Sequence, residues 1–501
     1  MTVHFTTIDF VIIAGYCLAM LLIGVMFSRS QYTVRTFLLG DNSASWWLVL
    51  FSIVTTETSA VTFLSVTGKG FGAWDPVSHS YQPGNLTFLQ LAFGYLIGRV
   101  VISLWLLPLY FRGELYSAYE VLKQRFGDTV QKVASLIFLI TRTVADGLRL
   151  YLASLFLSGC LNISIHSAIT AIVFVTLIYT WFGGIKAILW TDLIQFVIKI
   201  GAAILALVII VQSFPGGILH LLSGAHSANQ TQLFDWTFDW SLSQTIWAGV
   251  IGGAFVSMAT HGADQMMVQR YLCSKTLRSA QLAVISSGIV VLLQFSLFLV
   301  VGIGFYHLMS QQLLTVPQET PADQIFALFL ASDLMPTGLR GLFVAAVLAS
   351  AMSTLSASWN SAASTMIFDF YKSWKPSAQE TSLLSLARVA TLISCLLQTG
   401  IALLACIWMT DKAVIDVVME LAGLTLGLLL GLFFLGSLRW RVSSRSALIG
   451  MSVALLVVLS LYLGKFAGYG IGWPWYTPIG SLTTVIIGLI GERMRIVRQG
   501  S

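Results

Sequence analysis

Apolar runs of about twenty residues, the length a helix needs to cross a hydrocarbon core of about 30 Å, recur from residue 9 to residue 492 with no long polar block between them. In lipid, backbone polar groups must be satisfied within the segment, so each run is predicted to be helical. Charge agrees: Asp, Glu, Lys and Arg make up 10% of the 501 residues, where a soluble domain carries about 25%. A soluble globular protein is excluded, and no separate soluble domain fits.

Polar and Gly/Pro breaks divide the runs into about thirteen predicted helices, starting near Asp9, Trp46, Leu86, Val130, His166, Lys186, Gln244, Ala280, Gly338, Thr381, Ala413, Ala447 and Trp473. The fold class is therefore an all-α polytopic membrane protein. An odd count puts the termini on opposite sides. Nineteen of the 27 Lys and Arg then fall in segments on one side, against only Lys69, Arg340, Lys412 and Lys465 on the other. That bias predicts the N-terminus outside and the C-terminus cytoplasmic. It also excludes nucleic acid as a partner: the net charge of +6 is divided among short loops rather than gathered on one face. Arg99, Arg142, Arg149 and Lys199 remain within spans.

Five cysteines show no CxxC or metal-ligand spacing and are read as packing residues. The first span lacks a basic leader and a small-residue cleavage site, so it is expected to be retained. Trp46, Trp47, Trp236, Trp240, Trp473, Trp475 and Tyr476 stand at span ends, where amphipathic rings anchor at the interface.

The second span carries Thr55, Thr56, Glu57, Thr58 and Ser59 at its centre. Hydroxyls alone leave helix packing and function equally open, since they also serve as interhelical glue. Glu57 favours function, because an ionisable side chain deep in a span is costly and marks a site by default. In the ninth span Ser350, Ser353, Thr354, Ala357 and Ser361 share one helical stripe, read equally as close packing or as a ligand face. Taken together, the two spans suit a small hard cation, which takes oxygen ligands from hydroxyls and from carbonyls freed by an unwound helix. Sodium fits that set, with Glu57 or Asp192 lowering the cost of holding it; protons remain the alternative.

Arg142, Asp146 and Arg149 in the fourth span lie on one face, either as a self-neutralised ladder or as a clamp for a substrate carboxylate. The seventh span interrupts an apolar run with paired glycines, then Ser257, Thr260, His261 and Asp264, and reads as a second broken helix. The eleventh adds Asp416, Glu420 and a ridge of Gly423, Gly427 and Gly431 at the spacing of tight helix contact.

The stretches TFLLGDNSASWW, TTETSAVTFLSVTGKGF, LYSAYEVLKQRFG, YTWFGGIKAILWTDLIQ, DQMMVQRYL and GLRGLFVAAVLASAMSTLSASWNS follow one another along nearly the whole chain. In them the sequence resembles the sodium:solute symporter family. The resemblance implies a LeuT-like core of two inverted five-helix repeats with broken first and sixth core helices. The organisation expected is an outer helix and loop over 1–45, repeats over 46–213 and 214–440, and two outer helices with a basic tail over 441–501. It also implies a main sodium site from Thr55, Thr58, Ser350, Ser353 and Thr354. Two-sodium members add positions matched here by Asp192 and Ser356, although the next position is Ala357. Substrate is expected among Glu57, Ser59, Thr62, Ser257, Thr260, His261 and Met419. The amides of sugar-type members are missing from the matching places. Sialic-acid-type members place an Arg where Ala145 stands, flanked here by Arg142 and Arg149, so Arg142, Asp146 and Arg149 join the candidate solute site.

The function implied is sodium-coupled symport of a small polar solute, carboxylate-bearing or zwitterionic, such as sialic acid, an amino acid or an organic acid. The chain would act as a monomer in the bacterial inner membrane, with one sodium ion or two. Proton-coupled symport, a channel and a transporter-like sensor are the alternatives. An enzyme is disfavoured by the absence of HExxH, GxSxG and P-loop patterns.

Overall fold

The protein is seen here as a computed structural model that describes residues 5–29, 31–113, 115–408 and 414–500, with side chains described for all of these except 414–422 and 498–500. Its principal helices are α1 (Thr7–Ser28), α2 (Trp46–Glu57), α3 (Ala60–Phe71), α4 (Leu89–Leu104), α5 (Asp128–Leu161), α6 (Ile165–Gln212), α7 (Gly253–Gly262), α8 (Gln265–Leu272), α9 (Leu277–Ser310), α10 (Leu339–Thr365), α11 (Glu380–Trp408), α12 (Val414–Ser437), α13 (Ser444–Gly464) and α14 (Tyr476–Gly500). A two-stranded antiparallel hairpin, β1 (Gly72–Asp75) and β2 (Ser80–Pro83), follows α3.

Among the described residues seven helices are long and apolar enough to cross a membrane, and the bent pair α2–α3 makes an eighth. The thirteen spans read from sequence exceed that number because α4, with 16 residues, and the interrupted α7 and α8 are too short to meet the same standard alone. In addition, α12 is counted only as the shorter stretch Gly423–Ser437, α14 is not among the helices that meet it, and α6 counts once for two runs. One further difference is local. The 48-residue α6 turns at Gly184, whose φ of 55° only glycine adopts without strain. A Cβ there would lie 2.7 Å from the Phe37 carbonyl. The turn falls between the two runs that start near His166 and Lys186.

Burial sorts the helices. Of the most apolar window of the α10 region 94% is buried, against 17% for α1. Every α10 residue from Phe343 to Thr365 is buried. By contrast α1 presents Phe10, Val11, Leu18, Leu22, Val25 and Met26 outward, the surface a lipid-facing helix needs. The polar stripe of the ninth span is thus the centre of the molecule. The glycine ridge behaves as its spacing predicts. A Cβ on Gly427 would meet the Thr477 carbonyl at 2.7 Å, and one on Gly431 would meet the Thr484 Cβ at 2.5 Å, so glycine is what lets α12 and α14 approach.

Trp46, Trp47, Trp236 and Trp240 are exposed at span ends, but Trp475 and Tyr476 are 6% and 1% exposed. These two pack inward, Tyr476 against Gly423, because the ridge on α12 leaves room for an aromatic ring.

Candidate functional site

The break between α2 and α3 bends the span by 69°. Thr58 and Ser59 leave helical geometry, and the Ser59 side chain caps α3 by accepting from the Thr62 amide at 3.4 Å. In an unbroken helix the Thr55 carbonyl would accept from the Ser59 amide; that amide turns to the Glu57 carbonyl instead, at 3.1 Å. The carbonyls of Thr55, Thr56 and Thr58 are thereby released from the helical ladder inside a buried region, and buried carbonyls require donors or a cation.

Two kinds of group meet them. From α10, Ser353 Oγ donates to the Thr55 carbonyl and Thr354 Oγ1 to the Thr56 carbonyl, each at 3.2 Å. The same hydroxyls lie 3.1 and 3.2 Å from the Ser350 carbonyl, whereas the Ser350 hydroxyl bonds back to Ala346 at 3.0 Å. From α6, the Lys199 ammonium donates to the Thr55 carbonyl at 2.9 Å and to the Thr58 carbonyl at 3.0 Å. The residues expected to form the main cation site therefore converge, through the carbonyls of Thr55, Thr58 and Ser350 and the hydroxyls of Ser353 and Thr354. Two of those carbonyls are bonded to a lysine.

Asp192, expected in a second site, is fully buried on α6. Its Oδ2 accepts from Ser52 Oγ at 2.5 Å and from Arg270 Nη2 at 3.3 Å, while Oδ1 has no partner. Arg270 also donates to Ser52 Oγ at 2.9 Å. The Ser356 hydroxyl donates to the Ser353 carbonyl at 3.1 Å and not to Asp192. Arg270, one of the nineteen basic residues that the sequence places outside the spans on the cytoplasmic side, is 0% exposed.

Beside the break lies a cavity of about 140 Å³, partly open to solvent. Six of the expected solute residues line it: Glu57, Thr62, Arg142, Arg149, Ser257 and Thr260. Its walls also include Thr56, whose buried Oγ1 has no partner, with Phe88, Tyr95, Asp264, Phe295 and Trp473. Three of the expected residues stand off the wall. Ser59 is committed to capping α3, Asp146 lies buried behind the arginines, and His261 is fully buried, its Nδ1 2.7 Å from the Tyr271 hydroxyl. The Met419 side chain lies outside the described residues.

Charge in the cavity wall is balanced pair by pair. Glu57 pairs with Arg99, which is fully buried and also donates to Ser287 Oγ at 2.5 Å. Arg142 pairs with Asp264 and lies 3.8 Å from Asp146, and Arg149 pairs with Asp146 at 2.5 Å. The ladder expected on α5 is formed, and Asp264 at the α7–α8 break extends it. Arg99, Lys199 and Asp264 carry more of the site than the sequence reading gave them. Arg99 and Lys199 were visible there as ionisable residues left over inside spans, which is itself a signal of function.

A buried polar core flanked by two helix breaks and opening on a cavity is the arrangement of a membrane transporter. A family model described as "Sodium:solute symporter family" matches residues 37–454, and the chain belongs to that family. A sodium/sialic acid symporter of Proteus mirabilis (strain HI4320) is 29% identical over 492 residues, covering 97% of this chain and 95% of the relative. A sodium-coupled monocarboxylate transporter 2 of Bos taurus is 28% identical over 481 residues, covering 92% of this chain and 73% of the relative. The solved substrate-bound, outward-open state of a Na+-coupled sialic acid symporter is similar with a TM-score of 0.87 and 27% identity, covering 98% of each chain. The fold is LeuT-like, and the chain is a secondary transporter rather than an enzyme.

Proposed function

We propose that this protein is a sodium-coupled secondary active symporter that carries a small carboxylate-bearing or zwitterionic solute into the cell. The observation that carries the reading is the junction of α2–α3 with α10. Carbonyls of Thr55 and Thr58, released by the break, and the Ser353 and Thr354 hydroxyls gather beside a cavity walled by the same broken helix. A cation at that junction ties α10 to the broken helix and, through Thr56 and Glu57, to the solute cavity. Downhill ion binding thereby favours the state that accepts solute. Ion and solute sites that share one broken helix are what coupled transport needs.

The solute class follows from the arginines. Arg142 and Arg149 reach the cavity already paired to Asp264 and Asp146, so a solute carboxylate would share a guanidinium rather than meet an uncompensated charge. Arg149, 20% exposed at its side chain against 10% for Arg142, is the more accessible. The relatives' names, sialic acid and monocarboxylate, describe carboxylates and support this choice.

We infer that the chain divides into repeats 46–213 and 214–440 with outer segments 1–45 and 441–501. It lies in the bacterial inner membrane with its N-terminus outside and works as a monomer. Asp192 and Ser356 are the residues for any second sodium. Proton coupling has one observation in its favour, the Lys199 ammonium on the Thr55 and Thr58 carbonyls.

Proteoliposomes test the proposal with radiolabelled sialic acid and short monocarboxylates. An inward sodium gradient should drive saturable accumulation and counterflow, and choline should not. Accumulation driven equally by a proton gradient without sodium would overturn the choice of ion. Non-saturating flux without counterflow would overturn symport.

A further inference from the structure

The oxygen cage at the α2–α3 break is already holding a cation, and it belongs to the chain. Lys199 is 0% exposed and sends its ammonium to the Thr55 and Thr58 carbonyls at 2.9 and 3.0 Å. These are two of the oxygens that the sodium reading requires. The neighbouring charges make the coincidence more than geometric. Asp192 is paired with Arg270, which is also 0% exposed, so that pair is neutral. With Lys199 protonated, the buried cluster holds one surplus positive charge, the same surplus a bound sodium ion would bring if position 199 were neutral.

We propose that the Lys199 ammonium is a tethered occupant of the cation site, so that this ammonium and a sodium ion exclude one another from the Thr55 and Thr58 carbonyls. The inference deepens the symport reading and rests on its assignment of the cation site. Two unit charges about 4 Å apart in a protein interior repel enough to weaken binding by roughly a thousandfold. Sodium therefore enters only when Lys199 leaves. The released carbonyls, which burial would otherwise leave without partners, have a donor supplied by α6. Sodium binding becomes an exchange on the same oxygens rather than the filling of an empty cage, and its apparent affinity is lowered by the cost of displacing the lysine.

The test is sodium-dependent thermal stabilisation of the purified full-length protein, with choline chloride holding ionic strength constant. Lys199→Met removes the ammonium. Lys199→Gln removes the charge but keeps a polar head, and serves where the apolar variant does not fold. Lys199→Arg keeps the charge. The expected result is a half-saturating sodium concentration at least tenfold lower in the Met or Gln variant than in the wild type, with no gain in the Arg variant. An unchanged or higher concentration in the neutral variants, or an equal gain in Lys199→Arg, overturns the proposal. The two readings fail separately. Neutral variants that gain sodium binding while no sodium gradient drives uptake in the wild type would remove the coupling ion and keep this inference. Sodium-driven uptake with no gain in the variants would do the reverse.

Discussion

Replacing Glu57 with Gln leaves its shape and removes its charge, and the structure says what that exposes. Arg99 is 0% exposed, its pairing carboxylate is Glu57, its other partner is the neutral Ser287 hydroxyl, and its Nε has no partner. Removing one member of a buried pair leaves an uncompensated charge and costs about 3–5 kcal/mol. The Glu57 side chain is 14% exposed on the cavity, which argues for the lower end, about 3 kcal/mol. Glu57→Gln with Arg99→Met removes both charges, so the double variant should be more stable than the sum of the single losses predicts, by at least about 2 kcal/mol of coupling. Unfolding of the purified wild type, both single variants and the double variant in mixed micelles of increasing sodium dodecyl sulfate measures the cycle. A single-variant loss below about 1 kcal/mol, or strict additivity, would refute the view that Arg99 depends on Glu57.

Arg149→Met should raise the apparent KM for a carboxylate solute at least tenfold while leaving sodium-dependent thermal stabilisation unchanged; an unaltered KM in a concentration series would place the solute carboxylate elsewhere. Glu120, on the short helix Glu120–Phe126 between α4 and α5, is pushed up to about 7 by burial and then by the nearby Asp369 carboxylate. Its folded-state pKa lies above the unfolded one, so its contribution to stability is complete below the ordinary carboxylate range and is lost as pH rises through about 7. Melting temperatures between pH 5 and 8 should therefore fall less steeply in Glu120→Gln than in the wild type; parallel curves would contradict this. Gly431→Val should lower thermal stability by about 1–3 kcal/mol, because even its Cβ would stand 2.5 Å from the Thr484 Cβ. A wild-type melting curve would mean that α12 and α14 do not pack this closely.

What sequence made visible was whatever one segment can encode. Five polar residues at 55–59 in an apolar run announce a break, glycines four apart announce a packing face, and Arg142, Asp146 and Arg149 announce a ladder because helical spacing puts them on one side. What it hid was which segments meet. Arg142 reaches Asp264 across 122 residues, and Lys199 reaches Thr55 across 144. Arg270 is placed by sequence outside the spans, yet it folds inward because Asp192 offers a buried carboxylate. Trp475 carries the composition of an interface anchor and is buried instead, since the surface it covers comes from other parts of the chain.

The central claim, that a cation held between the α2–α3 break and α10 drives solute entry, is tested most directly by sodium-dependent uptake in proteoliposomes of wild type and Thr354→Ala. Thr354 Oγ1 reaches the Thr56 carbonyl at 3.2 Å, and Thr354 itself does not line the solute cavity. The account predicts that the variant, present in the bilayer at wild-type amount, needs at least tenfold more sodium for half-maximal uptake, with the solute KM at saturating sodium unchanged. An identical sodium requirement in the two proteins would contradict it.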